Sequence, residues 1–191
     1  MHPARFSVVV GLAIAAIGQT SLAQHASVGT APVAFSVLRE LGEPVLNPGA
    51  EHRTVFRALW LRSFHNPVSV RLVDDHGTYS VITSEVAMHG DSVTGVVRRD
   101  SLPLPREAWD LLQRRLAIEQ FFNRSYWRMT KPKSMGLDGA NWILEGLKDG
   151  KYQYIDWWSP DEREGREGLF RRLFLEILSM GTVCVPPNAV Y

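Results

Sequence analysis

From Leu137 to Pro160 apolar and polar residues alternate along LDGANWILEGLKDGKYQYIDWWSP, break at Asp149-Gly150 and resume beyond it. A period of two is the strand period, and Asp-Gly readily supplies the positive-φ positions of a tight hairpin turn. The pattern predicts a β-hairpin in which Lys148 faces Lys151, Leu147 faces Tyr152, Glu145 faces Tyr154, Ile143 faces Asp156 and Asn141 faces Trp158. One face then carries Trp142, Leu144, Ile155 and Trp157. The other carries Asn141, Ile143, Glu145, Tyr154, Asp156 and Trp158, so the first is expected to be core and the second to make specific polar contacts.

Upstream, residues 24–53 lack sustained periodicity and carry Pro32, Pro44 and Pro48, which predicts an extended leading segment with a short helical turn at Phe35 to Leu41. Thr54 to Phe64 is rich in β-formers, and after a turn at His65-Asn66-Pro67 the run Val68 to Asp74 puts Val68, Val70 and Leu72 on one side. Thr78 to Met88 and Val93 to Arg99 follow, each behind a glycine-containing turn. Four strands joined this way make an antiparallel meander. Pro103 and Pro105 are expected to end it, and Arg106 to Asn123 then shows Trp109, Leu112 and Leu116 at helical spacing. After the hairpin, Ser159-Pro160-Asp161-Glu162 has the form of a capping box ahead of a firm helix from Gly168 to Met180, stopped by Gly181. The expected architecture is α+β. It is a mostly antiparallel sheet, a four-strand meander plus a hairpin, covered by two amphipathic helices in a single domain over residues 54–191.

The first residues change where this domain is expected to work. Arg5, an apolar run from Phe6 to Ile17 and the small residues around Ser21-Leu22-Ala23 read as a signal peptide over residues 1–23, cut near Ala23. The apolar run is shorter than the roughly 20 residues a membrane-spanning helix needs, so no transmembrane anchor is expected in the mature chain. A periplasmic or secreted protein follows. With 21 basic and 20 acidic residues, loss of Arg5 leaves the two signs balanced, so attraction to a polyanion must come from local clustering. The single cysteine, Cys184, excludes an intramolecular disulfide and sits between valines as a small apolar residue would.

Candidate chemistry is sparse. On the polar face of the hairpin Glu145 and Asp156 are diagonal neighbours, with Cβ atoms expected roughly 7 Å apart. Such a pair can divide acid and base roles in a small hydrolase, with Tyr154 and Trp158 beside it for a planar ligand. The structural alternative is that these carboxylates pair with Arg57, Arg62 or Arg71. Ligand-binding candidates are therefore Asn141, Glu145, Tyr154, Asp156, Trp158, Arg62 and Arg71. The histidines at 25, 52, 65, 76 and 89 have neither helical pairing nor a cysteine companion, so no metal site is expected, and no phosphate loop or nucleophile elbow calls for a cofactor. From Arg114 to Lys133, six cations stand among Phe121, Phe122, Tyr126 and Trp127. That texture suits an anionic envelope polymer or lipid, and nucleic acid fits an exported protein least. The competing reading makes the aromatics core and the cations a solvated helix face.

The run Asp138-Gly139-Ala140-Asn141-Trp142-Ile143-Leu144-Glu145-Gly146, followed by Tyr154 and Trp158-Ser159-Pro160, resembles a DGAxWxLEG signature of uncharacterised exported bacterial proteins. The resemblance covers about two dozen residues and implies export and a bacterial source; it carries no site residues across. The function expected from the sequence is non-enzymatic: an exported binding or accessory protein that meets an envelope component or another protein.

Overall fold

Runs of β-branched and aromatic residues broken by tight turns form six strands in the protein, whose structure is a computed structural model describing residues 30–48, 53–90, 92–127, 138–163 and 165–183. In chain order come α1 (Thr30–Glu40), β1 (Thr54–Arg62), β2 (Val68–Asp75), β3 (Thr78–His89), β4 (Ser92–Pro103) and α2 (Arg106–Ile118). The single turn α3 (Arg124–Trp127), β5 (Ala140–Lys148), β6 (Lys151–Trp158) and α4 (Arg166–Met180) complete them. The strands make one sheet in the order β4-β3-β2-β1-β5-β6, every neighbour antiparallel. With four helices beside it among the described residues, the fold is α+β and mostly sheet.

The β5–β6 turn has Asp149 at φ 49° and Gly150 at φ 69°, the two positive-φ positions of a two-residue hairpin. That turn fixes the register. Lys148 pairs with Lys151, Leu147 with Tyr152, Glu145 with Tyr154, Ile143 with Asp156 and Asn141 with Trp158. Alternation then sends odd and even residues of β5 to different cores. Trp142 and Leu144 join Phe56, Trp60 and Val70 in a cluster that also takes Trp109, Leu112 and Leu116 of α2 and Phe170, Phe174 and Ile177 of α4. Ile143 and Leu147 join Val55, Leu59 and Tyr152 in a second cluster on the opposite face.

The second core departs from expectation, because α1 supplies its lid. Its apolar residues Ala34, Val37 and Leu38, with Leu41 just past its end, recur at i, i+3, i+4 and i+7 and are buried in that cluster. The helix starts earlier than the predicted turn at Phe35 because Pro32 falls in its first turn, where a missing N–H has no intrahelical acceptor to lose.

Three boundaries also differ. β4 continues to Pro103, which an edge strand tolerates because a position facing away from β3 needs no N–H for the ladder; the neighbouring Leu104 N–H makes the bond to Tyr79 O at 3.0 Å. Helix α2 ends at Ile118 instead of running to Asn123. Gln120 takes φ 52°, Phe121 N–H bonds Leu116 O at 2.9 Å and Gln120 N–H bonds Ala117 O at 3.1 Å, a Schellman closure that turns Phe121 into the core. The capping box before α4 does not form. Ser159 has φ 38° and its Oγ accepts from Ala140 N–H at 3.0 Å, while α4 starts behind Gly165 without a side-chain cap. Gly181 does follow α4, for a packing reason: its φ is −79°, but a Cβ there would stand 2.7 Å from Val70 and from Thr83.

Candidate functional site

The hairpin face expected to make polar contacts is an interior surface lying under α1 and the chain that follows it. Glu145 is 1% exposed, Asp156 7%, Asn141 8% and Tyr154 9%. Glu145 stands directly across from Arg57 on β1, and the pairing is made by those side chains. Arg57 Nε donates to Glu145 Oε2 at 2.7 Å, its Nη2 forms a second short contact with the same oxygen, and Tyr152 Oη donates to Glu145 Oε1 at 2.7 Å.

Arg57 continues the cluster toward the chain just beyond α1. Its Nη1 donates to Pro44 O at 2.8 Å and reaches Glu43 Oε2 at 3.4 Å. Arg71, cross-strand partner of Arg57, donates from Nε to Glu43 Oε2 at 2.6 Å, and Ser84 Oγ donates to Glu43 Oε1 at 3.4 Å. Two carboxylates thus face two guanidiniums, and formal charge balances within this cluster. Balance is what makes burial tolerable, because an uncompensated buried charge costs several kcal/mol. Burial alone would lower the Arg57 pKa, but Glu145 and Glu43 outweigh it and hold the guanidinium above its ordinary value.

Asp156 accepts from Asn141 Nδ2 at 2.9 Å. Tyr152 and Tyr154 both have phenol pKa values raised first by burial and then by nearby carboxylates, Glu145 for Tyr152 and Asp156 ahead of Glu145 for Tyr154. Neither phenol ionises in the physiological range. A general acid or base must reach its substrate's proton within hydrogen-bond distance or through one water. Glu145 has its oxygens turned to Arg57 and Tyr152 and does not meet that condition in this geometry.

The remaining candidates divide. Trp158 is half-buried at the end of β6, with Gly139 against its ring because a Cβ at 139 would collide with it. Arg71 keeps 14% of its side chain exposed while bound to Glu43. Arg62 lies on the other face. Alternation groups it with Trp60, over whose ring its guanidinium sits at 4.5 Å, and it donates to Asn66 O at 2.7 Å.

Within the basic aromatic stretch Phe121 and Trp127 are core, Phe122 and Tyr126 pack against that core, and Arg115 bonds Glu176 at 2.9 Å. Arg128, Lys131 and Lys133 of that stretch lie outside the described residues, as do the leader, His25, His52 and Cys184. His65, His76 and His89 are exposed in or beside turns, and among the described residues no group of histidine, cysteine or carboxylate side chains is arranged to hold a metal. Among them too, no helix is long and apolar enough to cross a membrane.

Sequence reasoning missed Glu43, which closes the ion cluster from the segment read as extended. Its available signal was the apolar spacing of α1 immediately before it. Compared with known proteins, the chain matches no family model and no curated protein.

Proposed function

We propose that the protein is an exported, non-enzymatic binding or accessory protein of bacterial origin, periplasmic or secreted after a leader is cut near Ala23. In this reading the β1–β4 meander and the β5–β6 hairpin, with α2 and α4 across one face, are a frame for presenting a surface. The observation that carries it is the disposition of the carboxylates: Glu145 is held by Arg57 and Tyr152, and Asp156 by Asn141, all within the interior. A partner meeting the hairpin therefore does so at its open end, where Trp158 reaches solvent.

The test has two parts. Expressed from Met1 in a bacterium, the protein is expected outside the cytoplasm with Gln24 as its first residue; an uncut cytoplasmic chain would overturn the export reading. Residues 24–191 used as bait in envelope extract should retain a partner that a folded Trp158→Ala variant loses. Equal retention removes contact by that end of the hairpin, and retention of nothing removes the accessory role.

A further inference from the structure

On the face of the sheet opposite Glu145, where α2 runs out above the β5–β6 turn, there is an open cavity of about 270 Å³. Half-buried Phe122 and exposed Ala117 border it, above Phe56, Leu116 and Phe121, which are 0–3% exposed, with Phe121 meeting Phe56 edge-on at 5.9 Å and Phe122 at 5.0 Å. Beneath it Phe121 packs on Gly146, where a Cβ would run into the ring.

The rim is polar and carries more positive than negative charge. Lys148 and Lys151 are cross-strand partners on the cavity side, and like charges directly opposite each other destabilise a strand pair. Among the described residues neither lysine makes an ion pair. Lys148 is held over the cavity by Gln113, whose Oε1 accepts from its Nζ at 2.6 Å. That bond commits the amide oxygen of Gln113 and leaves its Nε2 buried with no hydrogen-bond partner. Asp149, the turn residue on the same rim, still leaves one positive charge in excess.

We infer that this cavity is a binding site for a small amphipathic anion, an aromatic or short aliphatic carboxylate. Its apolar body lies against Phe122 and Ala117, and its carboxylate accepts from Lys148 and Lys151. Size sets the class. Drug-sized ligands occupy roughly 300–1,000 Å³, whereas an apolar cavity of about 150 Å³ suffices for benzene, so one ring or a short chain fits and a nucleotide does not. The site lies across the sheet from the polar hairpin face, and its test is independent of the partner and export experiments above.

The test is titration of the isotope-labelled protein, residues 24–191, with benzoate and with hexanoate, followed by amide and methyl shifts. Benzyl alcohol serves as the uncharged control. Saturable shifts centred on Leu116, Ala117 and residues 148–151 are expected, with benzoate binding at least about tenfold tighter than benzyl alcohol, the scale of one charge-assisted hydrogen bond. The Lys148→Gln, Lys151→Gln double variant should lose that preference for the anion. Ala117→Phe, an exposed lining position whose enlargement closes the mouth without touching the core, should abolish binding of both. No saturable binding, equal affinity for acid and alcohol, or shifts that survive both variants would overturn the inference.

Discussion

Arg57 is the residue on which the interior depends most directly. It is 1% exposed, lies between Glu145 and Glu43, and bonds a backbone carbonyl beyond α1. Replacing it by methionine keeps the volume and removes the charge, leaving two buried carboxylates with Arg71 alone. Breaking a buried pair in this way costs about 3–5 kcal/mol, so Arg57→Met should move the urea midpoint sharply downward with little change in slope. A drop under 1 kcal/mol would mean that water reaches the cluster. The neighbouring phenols give a pH signature. Tyr152 and Tyr154 hold their protons more tightly folded than unfolded, so their stabilisation is complete below about pH 10, the ordinary tyrosine value, and is lost as pH rises above it. Stability measured by denaturant should fall from that pH upward, and Tyr152→Phe should flatten the fall. Sequence alone reached Glu145 and its choice of arginines. It did not reach Arg57 in particular, because pairing two distant strands is decided by sheet order and not by spacing along the chain.

At the scale of elements, the β5–β6 hairpin was readable to the residue, since a two-residue turn with both positions at positive φ permits one register. What could not be read was which hairpin face is solvent. Polar residues looked like an outer face because charge compensation comes from β1 and from Glu43, both far away in sequence. Helix α1 was legible in principle through Ala34, Val37, Leu38 and Leu41, but Pro32 within it and the prolines and glycines that follow argued the other way. The capping box ahead of α4 failed for a similar reason: Ser159 Oγ bonds β5 instead of its own helix. Since α1 covers the second core, Leu41→Ala should cost about 2–5 kcal/mol despite its place just past the end of an 11-residue helix. Thermal unfolding beside the wild type checks this, and a change within 0.5 kcal/mol would mean that α1 is only loosely seated.

At the scale of the whole molecule, the described residues form a sheet with both faces occupied, residues of α2 and α4 joining the core on one side and residues of α1 the core on the other. Two-sided burial is why β1 and β5 are nearly continuous runs of buried residues and why alternation in them marks which core a residue enters. The sheet's outer edge at β4 is different. It is mostly exposed, with Val96 and Val97 more than half accessible, but register shifts opposite β3 and the charges of Arg98, Arg99 and Asp100 blunt it against edge-to-edge pairing. The shared cluster of α1 and the last hairpin also sets a schedule. Leu38 and Leu41 belong with Leu147 and Tyr152, so the first helix among the described residues has no complete bed until β5 and β6 are in place. Closing so long a loop is slow. Until β5 and β6 pair beside β1, α1 has only part of its packing surface, Val55, Leu59 and Val73.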